Sequence, residues 1–395
     1  MNIALFERDV ELGGIPRSCH FFFGMRDQKR IYTGPAYAKK LSSLIRSTSV
    51  KLHLGTMVLS VVPGISGEAH RIDVLSPEGL KSYSSRFVIL ATGCFESSRH
   101  ARQIPGTRPS GIYTTGTLQQ LVNLGRFEFR GRRAVIIGSE LVALSSVLTL
   151  KKAGASVIAM VEEDPELHSY AYPAEAMARL YHFPIFKDTA VHEVFGDERV
   201  EGVGLLTGQR TFQMDCDMVI ITGRFRPEST LIDNTPIQRD PASSGPSVNL
   251  DLMTSAPNIL AAGNILRGAD MHDLCALEGK LAAQSILRTL ESDRIPAGPC
   301  FTIRAEPPIR YVVPQRINPR KIGKGRFCKL YPCPAFQLKH TRGNTIMEAV
   351  SGAERIWEGA FHKLIANSRY PLPVEKFRWN RADPYKEVTL KIAPC

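Results

Sequence analysis

The residues Ala134–Asp164, AVIIGSELVALSSVLTLKKAGASVIAMVEED, leave few folds open to this chain. Ala134 to Ile137 is an apolar run long enough for a buried parallel strand. Gly138 comes at once, where the backbone must turn sharply. Leu141, Leu144, Ser145, Leu148 and Lys152 then fall at helical spacing, and Gly154 is placed as a C-terminal cap. A second apolar run, Val157 to Val161, ends on Glu162 and Glu163. Strand, tight turn, helix, strand, acidic residue is the outline of a βαβ dinucleotide-binding unit, with Glu162 in place for a ribose hydroxyl. The glycine spacing is altered, however. A G-x-G-x-x-G/A pattern beginning at Gly138 places Glu140 at the second glycine and Ala143 at the third. Glu140 adds a side chain and a negative charge where a pyrophosphate would meet backbone at a helix N-terminus. The fold signal is therefore stronger than the signal for NAD(P).

Composition narrows the class further. With 395 residues the chain can build two or three domains, and 43% hydrophobic with 22% charged residues is ordinary for a globular protein. No run reaches the ~18 apolar residues of a membrane span, and Met1 to Phe6 leads into a strand pattern without a signal peptide. The eight cysteines contain no CxxC, which argues against a redox-active dithiol and points to a reducing, cytoplasmic setting. Cys328 and Cys333 are the only close pair, nothing nearby completes a ligand set, and no metal is expected. The net charge of +12 is local: residues 291–395 hold 19 Lys and Arg against 9 Asp and Glu. That surplus suits either a solvated basic face or an acidic partner subunit. Nucleic acid is not expected, because no nucleic-acid motif accompanies the charge.

In chain order, Asn2 to Phe6 reads as a strand ending on Glu7, with a Gly13-Gly14 turn beyond it. In a dinucleotide-binding unit, a strand ending on a carboxylate comes after the first helix. The strand and glycine-rich turn that should precede that helix are not in the sequence. Either the true start lies upstream of Met1 or the principal phosphate cradle is lacking. Residues 11–30 read as loop, and Tyr32 to Ile45 as an amphipathic helix with Ala36, Leu41, Leu44 and Ile45 inward. Short strands come next at Lys51 to Val62, Arg71 to Leu75 and Tyr83 to Leu90, the last running into Ala91-Thr92-Gly93. Beyond Asp164 come a helix at Ala174 to Tyr181, strands at Ala190 to Phe195, Val203 to Leu206 and Met218 to Thr222, and an apolar run Asn258 to Ala262 before Gly263-Asn264. A helix spans 277–288, with Leu277, Leu281, Ala282 and Ile286 on one face. After about residue 290 the texture becomes proline-rich and mostly β, with short strands at Tyr311 to Val313, Glu348 to Val350 and Glu387 to Ile392.

Four features thus stand in fixed order: Glu7 with its glycine pair, Ala91-Thr92-Gly93, the unit at Gly138, and Ala261-Ala262-Gly263-Asn264. Over roughly residues 1–290 this order resembles the two-dinucleotide-binding-domain flavoproteins, the pyridine nucleotide–disulfide oxidoreductase superfamily. GGIPR at 13–17, FGMR at 23–26, TGPAYA at 33–38 and TGRFRPES at 222–229 resemble its branch related to the flavoprotein subunits of opine and amino-acid dehydrogenases. The resemblance implies an α/β fold with two Rossmann-like domains, one inserted in the other, plus a small mostly β C-terminal domain. The implied boundaries are 1–125 and 225–290 for a discontinuous FAD domain, 126–224 for the NAD(P)-type domain, and 291–395 for the basic C-terminal domain. It implies FAD as cofactor. Glu7 would bind the adenosine ribose, and Gly13, Gly14 and Arg17 would lie along the cofactor. Ala91, Thr92 and Gly93 would pass near the adenine and pyrophosphate side. Gly263 and Asn264, which stands where the family commonly has aspartate, would meet the ribityl–phosphate region. A helix starting near Ala276 to Glu278 would point its N-terminus at the flavin.

Several readings stay open. Cys19 and His20 would lie near the flavin as a candidate catalytic pair, or are simply loop residues with local hydrogen bonds. His272 and Asp273 form an active-site rim or a helix cap. Phe21 to Phe23 pack beneath the cofactor or form a recognition patch. Arg224 and Arg226 contact a phosphate or an acidic substrate or make a domain-hinge salt bridge, and Lys321, Lys324 and Arg326 belong to the basic tail. Three functions fit these readings. The first is an FAD-dependent oxidoreductase that takes a hydride from a small amine or amino-acid-type substrate and passes electrons to a partner. The others are an NAD(P)H-dependent reductase acting through the flavin, and a non-catalytic partner-binding subunit with degenerate nucleotide sites. A homo- or hetero-oligomer suits each of them.

Overall fold

The computed structural model describes residues 1–19, 21–65, 68–169, 171–291, 300–322, 329–334, 345–362, 364 and 368–393. The chain divides into two compact units, residues 1–54 with 96–225, and residues 55–95 with 226–395.

The first unit is built on a five-stranded parallel sheet. Its order is Ile112–Thr114, Met218–Ile221, Arg133–Ile137, Ser156–Val161, Ile185–Phe186. The apolar run read from the sequence is the central strand, and its alternation decides what it touches. Ala134 and Ile136 face one way, into a cluster with Leu118, Leu144, Val147, Leu150 and Met160. Val135 and Ile137 face the other way, against Val203, Leu205 and Val219. Both faces are covered, as a parallel strand requires. Ile136 is fully buried, so Ile136→Ala is expected to cost about 2–5 kcal/mol. A chemical-denaturation midpoint checks this, and an unchanged midpoint would remove the strand from the core.

The helix Leu141–Lys152 ends as expected, with Gly154 at φ 79° and Ala155 N–H bonded to Leu150 O at 3.0 Å. Of the positions expected at helical spacing, Leu144 and Ser145 are buried, but burial runs well beyond a one-sided stripe. Ala143 through Val147, Thr149 and Leu150 are buried, while Leu141 and Leu148 are only half-buried. The helix packs against both the sheet and the helix Thr115–Asn123, so most of its circumference is interior. A three-stranded antiparallel sheet, Thr189–Phe195, Gly202–Thr207 and Arg210–Asp215, backs the opposite face. Ala4–Phe6 pairs in parallel with Lys51–His53. The helix Gly34–Arg46 lies between them in sequence, capped by Thr33. Its inward residues are Gly34, Tyr37 and Ala38, with Leu44 61% exposed. The expected face at Ala36 and Leu44 is therefore rotated, because Tyr37 packs on Phe23 with ring centroids 5.5 Å apart.

The second unit holds the parallel pair Val88–Leu90 and Ile259–Ala261, the meander Met57–Val62, His70–Ser76 and Gly79–Ser85, and the helix His272–Glu291. That helix begins a turn earlier than the expected start near Ala276 to Glu278. After it come two β-sheets. One has the order Arg316–Ile317, Phe301–Ala305, Val388–Ile392, Thr345–Ser351, Glu354–Phe361, and the other joins Ile309–Val313, Lys329–Pro334 and Leu372–Pro373. The mostly β texture of the C-terminal region is confirmed. Both tryptophans of the chain, Trp357 and Trp379, stack on Phe377 in this region, and Phe301 adds a fourth ring.

His70 in the meander is 3% exposed and accepts from Gly64 N–H through Nδ1 at 3.1 Å. Burial holds its pKa below the ordinary value of 6.5. The unfolded chain therefore takes up the proton first, so this contribution is complete above pH ~6.5 and is lost as pH falls through the folded pKa. The melting temperature is expected to fall on acidification from pH 7.5 to 5.5 by less in His70→Gln than in the parent; equal slopes would refute the assignment.

Candidate functional site

In the first unit the turn after the central strand is filled by its own side chain. Gly138 has φ 107° and Gly223 φ 74°, and the Glu140 carboxylate lies against both. A Cβ on Gly138 would overlap Thr222 Oγ1, and a Cβ on Gly223 would overlap Glu140 Oε1. Glu140 is the N-cap of the helix, yet its side chain caps nothing. Its Oε2 instead accepts from Thr222 Oγ1 at 2.8 Å, and Thr222 also donates to Ile137 O at 2.9 Å. The Arg102 guanidinium donates to Thr222 O. Burial lowers the Arg102 pKa, with Glu140 working in the opposite direction. Ala143, at the third glycine position, is fully buried.

Glu162 turns inward. It is 4% exposed, and its two oxygens accept from Ser139 Oγ and from Asp164 N–H at 3.1 Å. Burial raises its pKa, opposed first by His168. Arg224 pairs with Glu163 at 3.2 Å within the first unit.

Near the N-terminus, Glu7 is half-buried and accepts from Asp9 N–H through Oε1 at 3.0 Å. Gly13 and Gly14 have φ of 118° and 53°, and beside Gly14 there is open space. Arg17 is held by Asp9 at 2.6 Å and Glu11 at 2.8 Å, so its charge is used locally. Cys19 lies 3.8 Å from Ser145 Oγ, which also accepts from Gln119 Nε2 at 2.7 Å. Burial pushes the Cys19 thiol up, so it is kept protonated, the reverse of an activated nucleophile. His20 lies outside the described residues, as do Lys324 and Arg326. Phe23 is buried on Tyr37 while Phe22 is 58% exposed.

In the second unit, Ala91 and Thr92 are exposed and Gly93 has φ 83° with open space beside it. Thr92 Oγ1 donates to Glu228 O, and Glu228 N–H to Gly93 O at 2.9 Å. Gly263 has φ 82°, and its N–H donates to Glu278 Oε2 at 2.9 Å. Glu278 Oε1 accepts from Arg267. Both carboxylate oxygens of Glu278 are thus engaged within the unit. Asn264 Oδ1 accepts from Asp270 N–H at 3.0 Å and Cys275 Sγ at 3.1 Å, so its amide N–H₂ is the group it can offer. Burial pushes the Cys275 thiol up to about 12. Asp273 is fully buried in the first turn of its helix, 2.6 Å from His272 Nε2.

Beneath this turn Arg267 and Arg369 converge on Asp270, which is wholly buried. Burial works against the charge of Arg267, but Glu278 more than offsets it and the pKa lies above the ordinary value. Arg369, buried beside Arg267, is held well below it. Of this cluster, only Glu278 carries a signal in the sequence.

In the second unit, the open space beside left-handed Gly93 leaves its backbone free to lie against a ligand. The turn at Gly138 does not fit a pyrophosphate, because a carboxylate already stands there.

The family described as pyridine nucleotide-disulphide oxidoreductase matches residues 5–281. Among solved structures, thioredoxin reductase from T. acidophilum is similar at 19% identity and TM-score 0.62, over 74% of this chain and 91% of that one. Bacillithiol disulfide reductase from Bacillus cereus is similar at 19% identity and TM-score 0.60, over 74% and 92%. L-proline dehydrogenase from P. horikoshii is similar at 19% identity and TM-score 0.51, over 74% and 52%. No curated protein matches. Identities this low establish the α/β, Rossmann-like fold alone. No helix among the described residues is long and apolar enough to cross a membrane.

Proposed function

This chain belongs to the pyridine nucleotide-disulphide oxidoreductase family, a family of FAD-binding oxidoreductases, and within it we propose a dehydrogenase-type division of labour that bypasses NAD(P)H. A small amine or amino-acid-type substrate is the hydride donor, and the electrons leave to a partner protein or acceptor. The observation that carries this reading is the Glu140 carboxylate standing in the turn where a nicotinamide dinucleotide would place its pyrophosphate. The sequence also contains no CxxC, so reduction of a disulfide through a neighbouring dithiol has no residues to perform it.

Bound FAD supplies the hydride acceptor. By the resemblance of the chain's first residues to the family pattern, Glu7 is proposed for a ribose and Gly14 for close backbone approach. The second unit offers the backbone at Gly93 and Gly263 and the amide of Asn264. The helix beginning at His272 contributes its N-terminal dipole to whatever negative charge develops near it. The likeness of GGIPR at 13–17, FGMR at 23–26 and TGPAYA at 33–38 to the opine and amino-acid dehydrogenase branch supports the amine class of substrate. The basic surplus in residues 291–395 supports an acidic electron-accepting partner.

The test is anaerobic mixing of the FAD-loaded chain with L-proline, other L-amino acids and opine-type secondary amines, read by flavin absorbance. Bleaching by a member of this panel supports the reading. Bleaching by NADH and by none of the panel replaces it with the reductase function.

A further inference from the structure

The end of the strand Ser156–Val161 gathers three groups that the oxidoreductase reading does not use: the Glu162 carboxylate, the Asp164 carboxylate and the His168 imidazole. One donor atom from each lies within 4.8 Å of the other two. His168 Nε2 is 2.6 Å from Asp164 Oδ2, and His168 Nδ1 is 4.0 Å from Glu162 Oε2. We propose that these three side chains bind a divalent metal ion of the borderline class, such as Zn²⁺, fixing the segment 162–168 to the turn at Ser139.

The argument rests on chemistry and on the surroundings. One imidazole and two carboxylates are a usual donor set for zinc and its neighbours in the first transition row. Donors at about 2.0–2.2 Å from a common ion stand about 3–4 Å apart, so a small inward movement closes the site. The Glu162 side chain is only 5% exposed, and Ser139 and Asp164 N–H fix the direction of its two oxygens. His168 Nε2 is buried and faces Asp164 Oδ2 at 2.6 Å.

The supporting shell is also present. Ser139 Oγ donates to Glu162 Oε2 and accepts from His168 N–H at 2.8 Å, which positions both residues through one hydroxyl. Asp164 N–H holds the other Glu162 oxygen at 3.1 Å. The Asp164 side chain is 49% exposed, which gives an ion a path in and leaves room for a water ligand. With Glu140 and Glu163 nearby, and Arg102 and Arg224 opposing them, the His168 region offers a cation more than it offers a phosphate.

The experiment uses the full chain, stripped with a chelator, desalted and titrated with Zn²⁺ by calorimetry, with Co²⁺ absorption as a second readout. One ion per chain is expected, with a rise in melting temperature. Asp164→Asn alters a half-exposed residue and should fold normally, yet it should weaken Zn²⁺ by about 100-fold or more, as should His168→Gln. Ser139→Ala should weaken it by about 10-fold, the scale of a lost supporting contact. No uptake by the parent chain would overturn the site and leave His168 as a polar neighbour of the two carboxylates. Uptake that survives both Asp164→Asn and His168→Gln would overturn it equally, placing the ion at other groups such as the exposed Cys300. Neither outcome depends on whether FAD binds.

Discussion

Replacing Glu140 by glycine is expected to raise the affinity for NADH by about 100-fold or more. Two effects add. The carboxylate occupies volume against Gly138 and Gly223, so a pyrophosphate cannot reach the backbone N–H groups of the helix Leu141–Lys152. It is also a negative charge close to where two phosphate charges would lie. At 4 Å and an effective dielectric near 20, one such pair costs about 4 kcal/mol, and 100-fold corresponds to about 2.7 kcal/mol. Glycine at this position costs the helix little, since Glu140 is its N-cap and its side chain makes no capping bond. A fluorescence titration with NADH checks the prediction. Equal affinity in the parent and Glu140→Gly would show that the carboxylate is no barrier.

Arg267→Met is expected to destabilise the second unit by about 3–5 kcal/mol, the cost of leaving buried charge unpaired. Arg267 is 2% exposed at its side chain and touches Asp270, at 0%, and Glu278, at 16%. Methionine fills similar volume, so the loss reports on charge rather than on a cavity. Asp270 would keep Arg369, but Glu278 would retain only the Gly263 N–H among these partners. A matched control is Arg381→Met. That arginine pairs with Glu354 at 3.2 Å with both side chains about half-exposed, and its loss should stay within about 1 kcal/mol. The urea midpoint separates the two. Similar shifts for both would mean that the buried cluster carries no special weight.

The parts of the fold legible in the sequence are those whose signal is local. The strand Arg133–Ile137 is announced by an apolar run closed by Gly138, and the helix C-terminus by Gly154. The unusual position of Glu140 is visible as a single letter in a glycine pattern, and the structure places its carboxylate against Gly138, Gly223 and Thr222. The rest depends on contacts far apart in the chain. The buried face of the helix Gly34–Arg46 is rotated from its periodicity because Tyr37 finds Phe23 in a loop that carries no periodicity. Glu162 ends its strand where a ribose ligand is expected, yet its direction is set by the Ser139 hydroxyl, 23 residues earlier. His168 sits in an irregular stretch after Pro165 with no spacing to flag it. Arg369 meets Asp270 from a segment about a hundred residues away, and the parallel pairing of Phe301–Ala305 with Val388–Ile392 spans most of the C-terminal region. Glu278 reads in the sequence as part of a helix start. The helix begins at His272, so Glu278 lies in its second turn and points back to Gly263.

The most direct test of the central claim is the visible absorption spectrum of the purified chain with FAD, before and after anaerobic NADH. The account predicts the absorbance of a protein-bound flavin that NADH leaves oxidised in the parent chain and bleaches in Glu140→Gly. A chain that takes up no FAD would contradict it and favour a partner-binding subunit, and prompt bleaching of the parent by NADH would contradict the closed second cradle.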